Sequence, residues 1–170
     1  RTPTEIFDLM SLLRSYLDKE IHDLHKKNIR FKVIGDREKL DADIVELIKV
    51  AEELTKENCD LTLTIALSYG GRRAITLAAK ELAYRACKGT IKLDEISEEA
   101  FELVLETQGV PNPDLVIRTS GEKRISNFLL WECAYSEFVF FDTLWPDFSS
   151  EHLTRAVQEY CNRERRFGAA

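Results

Sequence analysis

The chain has no CxxC pair, no apolar run long enough to cross a bilayer and no excess of basic residues. Each absence removes a class of protein. Cys59, Cys87, Cys133 and Cys161 are scattered without metal-ligand spacing, so they read as reduced thiols of a cytoplasmic protein rather than a disulfide framework or zinc site. A spanning helix needs about 20 apolar residues, and no signal peptide opens the chain. The start at Arg1-Thr2-Pro3, without an initiator Met, reads as that of a fragment. A net charge of −6 argues against broad nucleic-acid binding, because a phosphate backbone needs a basic face. The P-loop pattern and the GxGxxG dinucleotide fingerprint are both missing. His22, His25 and His152 fall on helical stretches with no partner cluster that suggests a metal site.

What remains is an ordinary globular composition, 44% hydrophobic and 32% charged, over 170 residues: a prior for one domain. Apolar side chains at Ile6, Leu9, Met10, Leu13, Leu17, Ile21 and Leu24 predict a helix from about Thr4, as its cap, to Lys27. Ile29 to Ile34 reads as a strand, Asp41 to Glu57 as a helix, Leu61 to Tyr69 as a strand and Ala74 to Cys87 as a helix. A shorter helix is predicted over Ser97 to Thr107, a strand over Asp114 to Ile117 and a short helix around Asn127 to Ala134. Glu137 to Phe141 reads as a strand, and Ser149 to Arg166 as the last helix. Strands alternating with helices predict an α/β fold with a mostly parallel central sheet flanked by helices on both faces.

Ligands of such sheets collect at the carboxyl ends of the strands. Arg118-Thr119-Ser120-Gly121-Glu122-Lys123-Arg124-Ile125-Ser126 follows a predicted strand and offers two guanidinium groups, a Lys, three hydroxyls and a Gly. Guanidinium binds phosphate through paired charge-assisted hydrogen bonds, so this is the composition of an anion site. Gly35-Asp36-Arg37 and Tyr69-Gly70-Gly71-Arg72 also end strands; the second pair of glycines is equally a tight strand-to-helix turn. Glu137, alone in an aromatic strand, reads on residues alone as an exposed strand end, with a hard-cation ligand as the other reading. The closing Arg163-Glu164-Arg165-Arg166 is a solvated helix end or a second basic contribution to a phosphate site.

Asp114 to Glu122, Arg124 to Trp131, Ala134-Tyr135-Ser136-Glu137-Phe138 and Leu144-Trp145-Pro146-Asp147-Phe148 together resemble the signature of the cis-prenyltransferases. The undecaprenyl diphosphate synthases are nearest in look. Ile34-Gly35-Asp36, Tyr69-Gly70-Gly71-Arg72 and Asn162 to Gly168 match as well, so the resemblance covers the whole chain. It implies condensation of isopentenyl diphosphate with an allylic diphosphate, farnesyl diphosphate, to a long-chain polyprenyl diphosphate that partitions into membranes. It implies Mg²⁺ as cofactor, a homodimer, and a cytoplasmic protein with a peripheral place at the membrane. Arg118, Arg124, Ile125 and Ser126 would bind isopentenyl diphosphate, and Glu137 would be a metal ligand acting across the dimer. The aliphatic faces of the early helices and sheet would line a tunnel for the growing product.

The family's opening Met-Asp-Gly-Asn-x-Arg segment, with its catalytic Asp, has no counterpart here, nor does most of its Ser-x-x-Asn-Trp-x-Arg-Pro segment. Arg1 resembles the Arg ending the latter, since Glu5, Leu9 and Met10 keep the following spacing; Thr2 stands where Pro is usual. Residues 1–170 are thus expected to be the carboxyl-terminal two-thirds of one such domain, with no catalytic residue of its own and inactive alone. The alternatives are a noncatalytic homologue or partner subunit, and a generic phosphate-binding α/β protein. Retention of Arg118, Arg124, Ser126 and Glu137 together favours the enzyme, because a purely structural subunit needs none of them.

Overall fold

The computed structural model describes residues 2–163, which fold as an α/β protein in two compact units, Arg1–Tyr69 and Gly70–Ala170. The first unit is α1 (Pro3–Lys26), β1 (Ile29–Ile34), α2 (Ala42–Thr55) and β2 (Leu61–Ala66). Thr2, not Thr4, caps α1: Glu5 N–H donates to the Thr2 hydroxyl at 3.3 Å, and Thr2 N–H donates to the Glu5 carboxylate at 2.7 Å. This reciprocal pairing satisfies two orphan donors, and Pro3 fits the first helical position because it has no N–H to lose. Leu17 and Ile21 of α1 meet Ile44, Ile48 and Ala51 of α2 over Phe31 and Val33 of β1, and these seven side chains are the core.

β1 and β2 are parallel and in register from Ile29 opposite Leu61 to Ile34 opposite Ala66. The other edge of β1 is closed by side chains rather than a strand. Phe31 N–H donates to the Thr55 hydroxyl at 3.0 Å and Val33 N–H to Glu52 at 2.9 Å, while Asn58 and Arg37 donate to the Ile29 and Val33 carbonyls at 2.8 and 2.9 Å. A buried strand edge with unmet donors would cost on the order of 1–3 kcal/mol per group, which explains a wholly buried Thr55 on an otherwise apolar helix face. At Gly35 φ is +110° and any Cβ would run into the Leu67 carbonyl, so the turn after β1 requires Gly.

The second unit holds α3 (Gly71–Cys87), α4 (Glu98–Glu102), β3 (Leu115–Arg118), β4 (Glu137–Phe140) and α5 (Ser150–Cys161). β3 and β4 are again parallel, with Leu115 opposite Glu137 and Arg118 opposite Phe140. Val139, Phe141 and Ala156 are buried together, flanked by Leu115, Ile117 and Phe148, so α5 packs on this strand pair.

Two helices expected from sequence are altered. The 97–107 helix is a five-residue piece, after which the chain closes into successive turns such as Val104 N–H to Phe101 O and Leu105 N–H to Glu102 O. The 127–134 helix does not form: Ser126, Asn127 and Leu129 have φ of 49°, 64° and 44°, on the left-handed side that no right-handed helix admits. Of the last helix, residues 164–166 lie outside the described residues, as does Arg1.

Candidate functional site

Arg118 is the last residue of β3, and its carbonyl accepts from Phe141 N–H at 2.9 Å. From there the loop turns through Ser120 and Gly121, both at φ 68°. It is pinned to the segment after β4 by Ser120 N–H to the Thr143 carbonyl at 2.8 Å and Gly121 N–H to the Phe141 carbonyl at 2.9 Å. The loop is therefore fixed at its start by backbone bonds that need no particular side chain.

The predicted anion-binding residues do come together. Arg118 Nη1 donates to the Ser126 hydroxyl at 2.9 Å and also to the Arg124 carbonyl, and Arg124 Nε lies 3.2 Å from the same hydroxyl. Two guanidinium groups thus share one oxygen. Arg124, 62% exposed, is also ion-paired with Glu122. Two like charges some 5 Å apart repel by about 3 kcal/mol at an effective dielectric of 20, less where water reaches them. Glu122 offsets part of this, and a bound dianion would offset more. Ile125 lies between Arg124 and Ser126 in the chain, and its carbonyl accepts from Phe128 N–H at 3.2 Å.

The far end of the loop is held by a residue that sequence reasoning passed over. The Asn127 carbonyl accepts from Gly71 N–H at 2.7 Å, and its side-chain oxygen accepts from Arg72 N–H at 2.8 Å. Asn127 therefore caps α3 from a distance, taking two of the orphan donors every helix start exposes. This decides the reading of Gly70-Gly71: those amides are spent on protein. A Cβ at Gly70 would lie 2.8 Å from the Asn127 amide nitrogen, and one at Gly71 2.8 Å from Leu130 Cγ, so the glycines permit close approach. Arg73 pairs with Glu106 at 2.8 Å.

Glu137 stands at the other end of the strand pair. It opens β4 opposite Leu115, three residues before Arg118, which is about 10 Å along a strand. Its carboxylate accepts from Arg163 Nη1 at 2.6 Å, and Arg163 also pairs with Glu159. Glu137 first and Glu159 second hold the Arg163 guanidinium firmly protonated. Among the described residues no three His, Cys, Asp or Glu side chains cluster to hold a metal ion. Glu137 is thus a single carboxylate paired with a guanidinium.

The family model for undecaprenyl diphosphate synthases, Prenyltransf, matches residues 1–168. The chain belongs to this family. Its relatives include an isoprenyl transferase of Agrobacterium fabrum, 46% identical over 99% of this chain and 68% of that protein. A second, from Haemophilus influenzae, is a ditrans,polycis-undecaprenyl-diphosphate synthase specific for (2E,6E)-farnesyl diphosphate; it is 48% identical over 99% of this chain and 70% of its own length. Among solved structures, lavandulyl diphosphate synthase from Lavandula x intermedia, in complex with dimethylallyl diphosphate, superposes with a TM-score of 0.95. It is 35% identical, over 99% of this chain and 73% of that one. The cis-prenyltransferase fold and family are thus shown for the chain. No helix among the described residues is long and apolar enough to cross a membrane.

Proposed function

We propose that Arg118, Arg124 and Ser126, with Ile125 between them, form the isopentenyl diphosphate half of a cis-prenyltransferase site that elongates farnesyl diphosphate. The observation that carries this reading is the pair of guanidinium groups gathered on one serine hydroxyl at a strand end. Like charges held together and partly exposed favour a polyanion, and hydroxyl and guanidinium donors match diphosphate oxygens.

In the condensation, the C–O bond of the allylic diphosphate breaks and diphosphate leaves. The double bond of isopentenyl diphosphate attacks the vacated carbon, and a proton is then lost to restore a double bond. The part of Arg118, Arg124 and Ser126 is to hold the attacking partner by its diphosphate, so that its double bond meets the allylic carbon as an already oriented neighbour. A cleft of the first unit, with Ile6, Phe7, Met10, Leu40 and Leu67 on its walls and Lys39, Asp41 and Ser68 beside them, would take the growing hydrocarbon against its apolar side.

Mg²⁺, a homodimer and a cytoplasmic location with peripheral membrane contact complete the reading. Glu137 would give the ion one carboxylate, and its distance from Arg118 along the strand pair supports a role toward a second copy. No step is assigned to the ion, because the described residues do not enclose one. Arg1, assigned to the substrate by resemblance, lies outside the described residues. The chain is proposed as part of one cis-prenyltransferase domain.

The test is equilibrium binding to the full-length protein. Arg124→Ala should weaken isopentenyl diphosphate by at least about tenfold, the value of a charge-assisted hydrogen bond, while farnesyl diphosphate changes by less than about twofold. Equal losses for both would refute the assignment. The noncatalytic alternative predicts no elongation by the intact gene product with labelled isopentenyl diphosphate and Mg²⁺.

A further inference from the structure

We infer that His152 is a positioning residue for the diphosphate loop: its neutral imidazole ties Thr143, whose carbonyl holds that loop, to the start of α5. The inference rests on the reading of Arg118, Arg124 and Ser126 given above. Thr143 faces two ways. Its backbone oxygen accepts from Ser120 N–H at 2.8 Å, and its hydroxyl lies 3.1 Å from His152 Nε2. On the other side of the ring, Nδ1 is 3.1 Å from the Ser149 backbone nitrogen and 2.9 Å from the Ser149 hydroxyl.

A backbone N–H can only donate, so Nδ1 must accept. The proton of the neutral ring then sits on Nε2 and is donated to the Thr143 hydroxyl. The ring plane is set by aromatic packing, edge-on to Phe141 at 5.5 Å and stacked on Phe148 at 5.4 Å, with Trp145 stacked on Phe148 in turn. His152 occupies the third helical position of α5, where Glu or Gln ordinarily reaches back to the cap N–H. Those side chains remain acceptors near neutral pH. Imidazole does not.

Protonation would set N–H against N–H at Ser149 and add a positive charge at a helix start, where the backbone dipole is already positive. The charged groups on the elements around the ring are Asp142 beside Thr143, Asp147 in the turn before α5, Glu151, Arg155 and Glu159 on α5, and Arg118, Glu122, Lys123 and Arg124 on the loop and its strand end. Arg155 lies over the Phe141 ring, its guanidinium 5.7 Å from the centroid. The hydrogen-bond partners of the imidazole among the described residues are Thr143 and Ser149, both neutral. Protonation therefore unseats the ring from the Ser149 backbone N–H, and the tie that carries Thr143 loses its anchor at the start of α5.

The experiment is calorimetric titration of isopentenyl diphosphate into the full-length protein at about pH 8 and about pH 5.5, wild type against His152→Gln. The ligand's own titration is common to both proteins, so the ratio of their affinities isolates residue 152. Gln keeps an acceptor at Ser149 at both values. The ratio should move by about fivefold in favour of His152→Gln between the higher and lower pH, the effect of one hydrogen bond. Thr143→Val keeps the carbonyl but removes the hydroxyl; it should bind more weakly than wild type at the higher pH and match it at the lower. A ratio that does not move with pH, or Thr143→Val indistinguishable from wild type at both values, overturns the inference. If His152→Gln does not fold, Thr143→Val decides alone. Wild type that binds no isopentenyl diphosphate at either pH overturns the reading of the loop itself.

Discussion

Replacing Asn127 by Ala should destabilise the protein by about 2 kcal/mol and loosen the loop from Arg118 to Ser126 at the same time. Two losses combine. The side-chain oxygen that accepts from Arg72 N–H at 2.8 Å disappears, and loss of a helix cap costs about 1 kcal/mol. Ala must also adopt φ 64°, which Asn tolerates and Ala resists by roughly 1 kcal/mol. The carbonyl bond to Gly71 N–H survives, since it belongs to the backbone. Urea unfolding followed by circular dichroism measures the sum. Asn127→Asp is the control: it keeps the acceptor and the tolerance for positive φ, so its stability should stay within about 0.5 kcal/mol of wild type. It places a carboxylate next to Ser126, however, and should therefore weaken isopentenyl diphosphate binding. An Ala variant costing less than about 0.5 kcal/mol, or an Asp variant costing as much as Ala, would refute the trans-capping argument.

Gly71→Ala should lose about 1–3 kcal/mol in the same unfolding assay, because its Cβ would meet both Leu130 Cγ at 2.8 Å and the Leu130 backbone nitrogen at 3.0 Å. Burial, the leading cause, pushes the Cys133 thiol above its ordinary range, so the folded chain keeps that proton to higher pH than the unfolded chain. The stability this gives is whole below the unfolded value, about 8.5, and falls as pH rises through the folded one. Stability measured from pH 7 to 10 should show that decline, and Cys133→Ala should reduce it; an unchanged slope would contradict the burial argument. In native protein, iodoacetamide should label the exposed Cys59, Cys87 and Cys161 well before Cys133.

The strands and long helices were legible because their signals are local. Ile29 to Ile34 forms a strand over its expected span, and α1 and α2 follow the apolar spacing that predicted them. The gathering of Arg118, Arg124 and Ser126 was legible because all three lie within nine residues at the end of one strand. What escaped was long-range. Asn127 looked like the start of a helix, but its two acceptor oxygens serve α3, more than fifty residues earlier in the chain. Phe31 N–H finds Thr55 through packing that no local window of sequence contains. Thr2 displaced Thr4 as a cap because Glu5 answers it three residues on, a signal that was present and weighed less than the apolar period.

The placement of Glu137 follows from strand direction. Nineteen positions separate it from Arg118, and one site for both would be natural if the chain simply doubled back between them. The strands are parallel instead, so the chain returns to the start of β3 before β4 begins, and Glu137 lines up with Leu115 rather than with Arg118. That register sets Glu137 three residues, about 10 Å along the strand, from the position opposite Arg118. Arg163 then compensates Glu137 locally, leaving Glu122 as the carboxylate bonded to Arg124 on the loop. Glu122 is 40% exposed and beside a Gly, so it can turn to solvent when a stronger anion arrives. Glu122 is thus the counterion that the loop itself supplies, while the strand register sets Glu137 opposite Leu115.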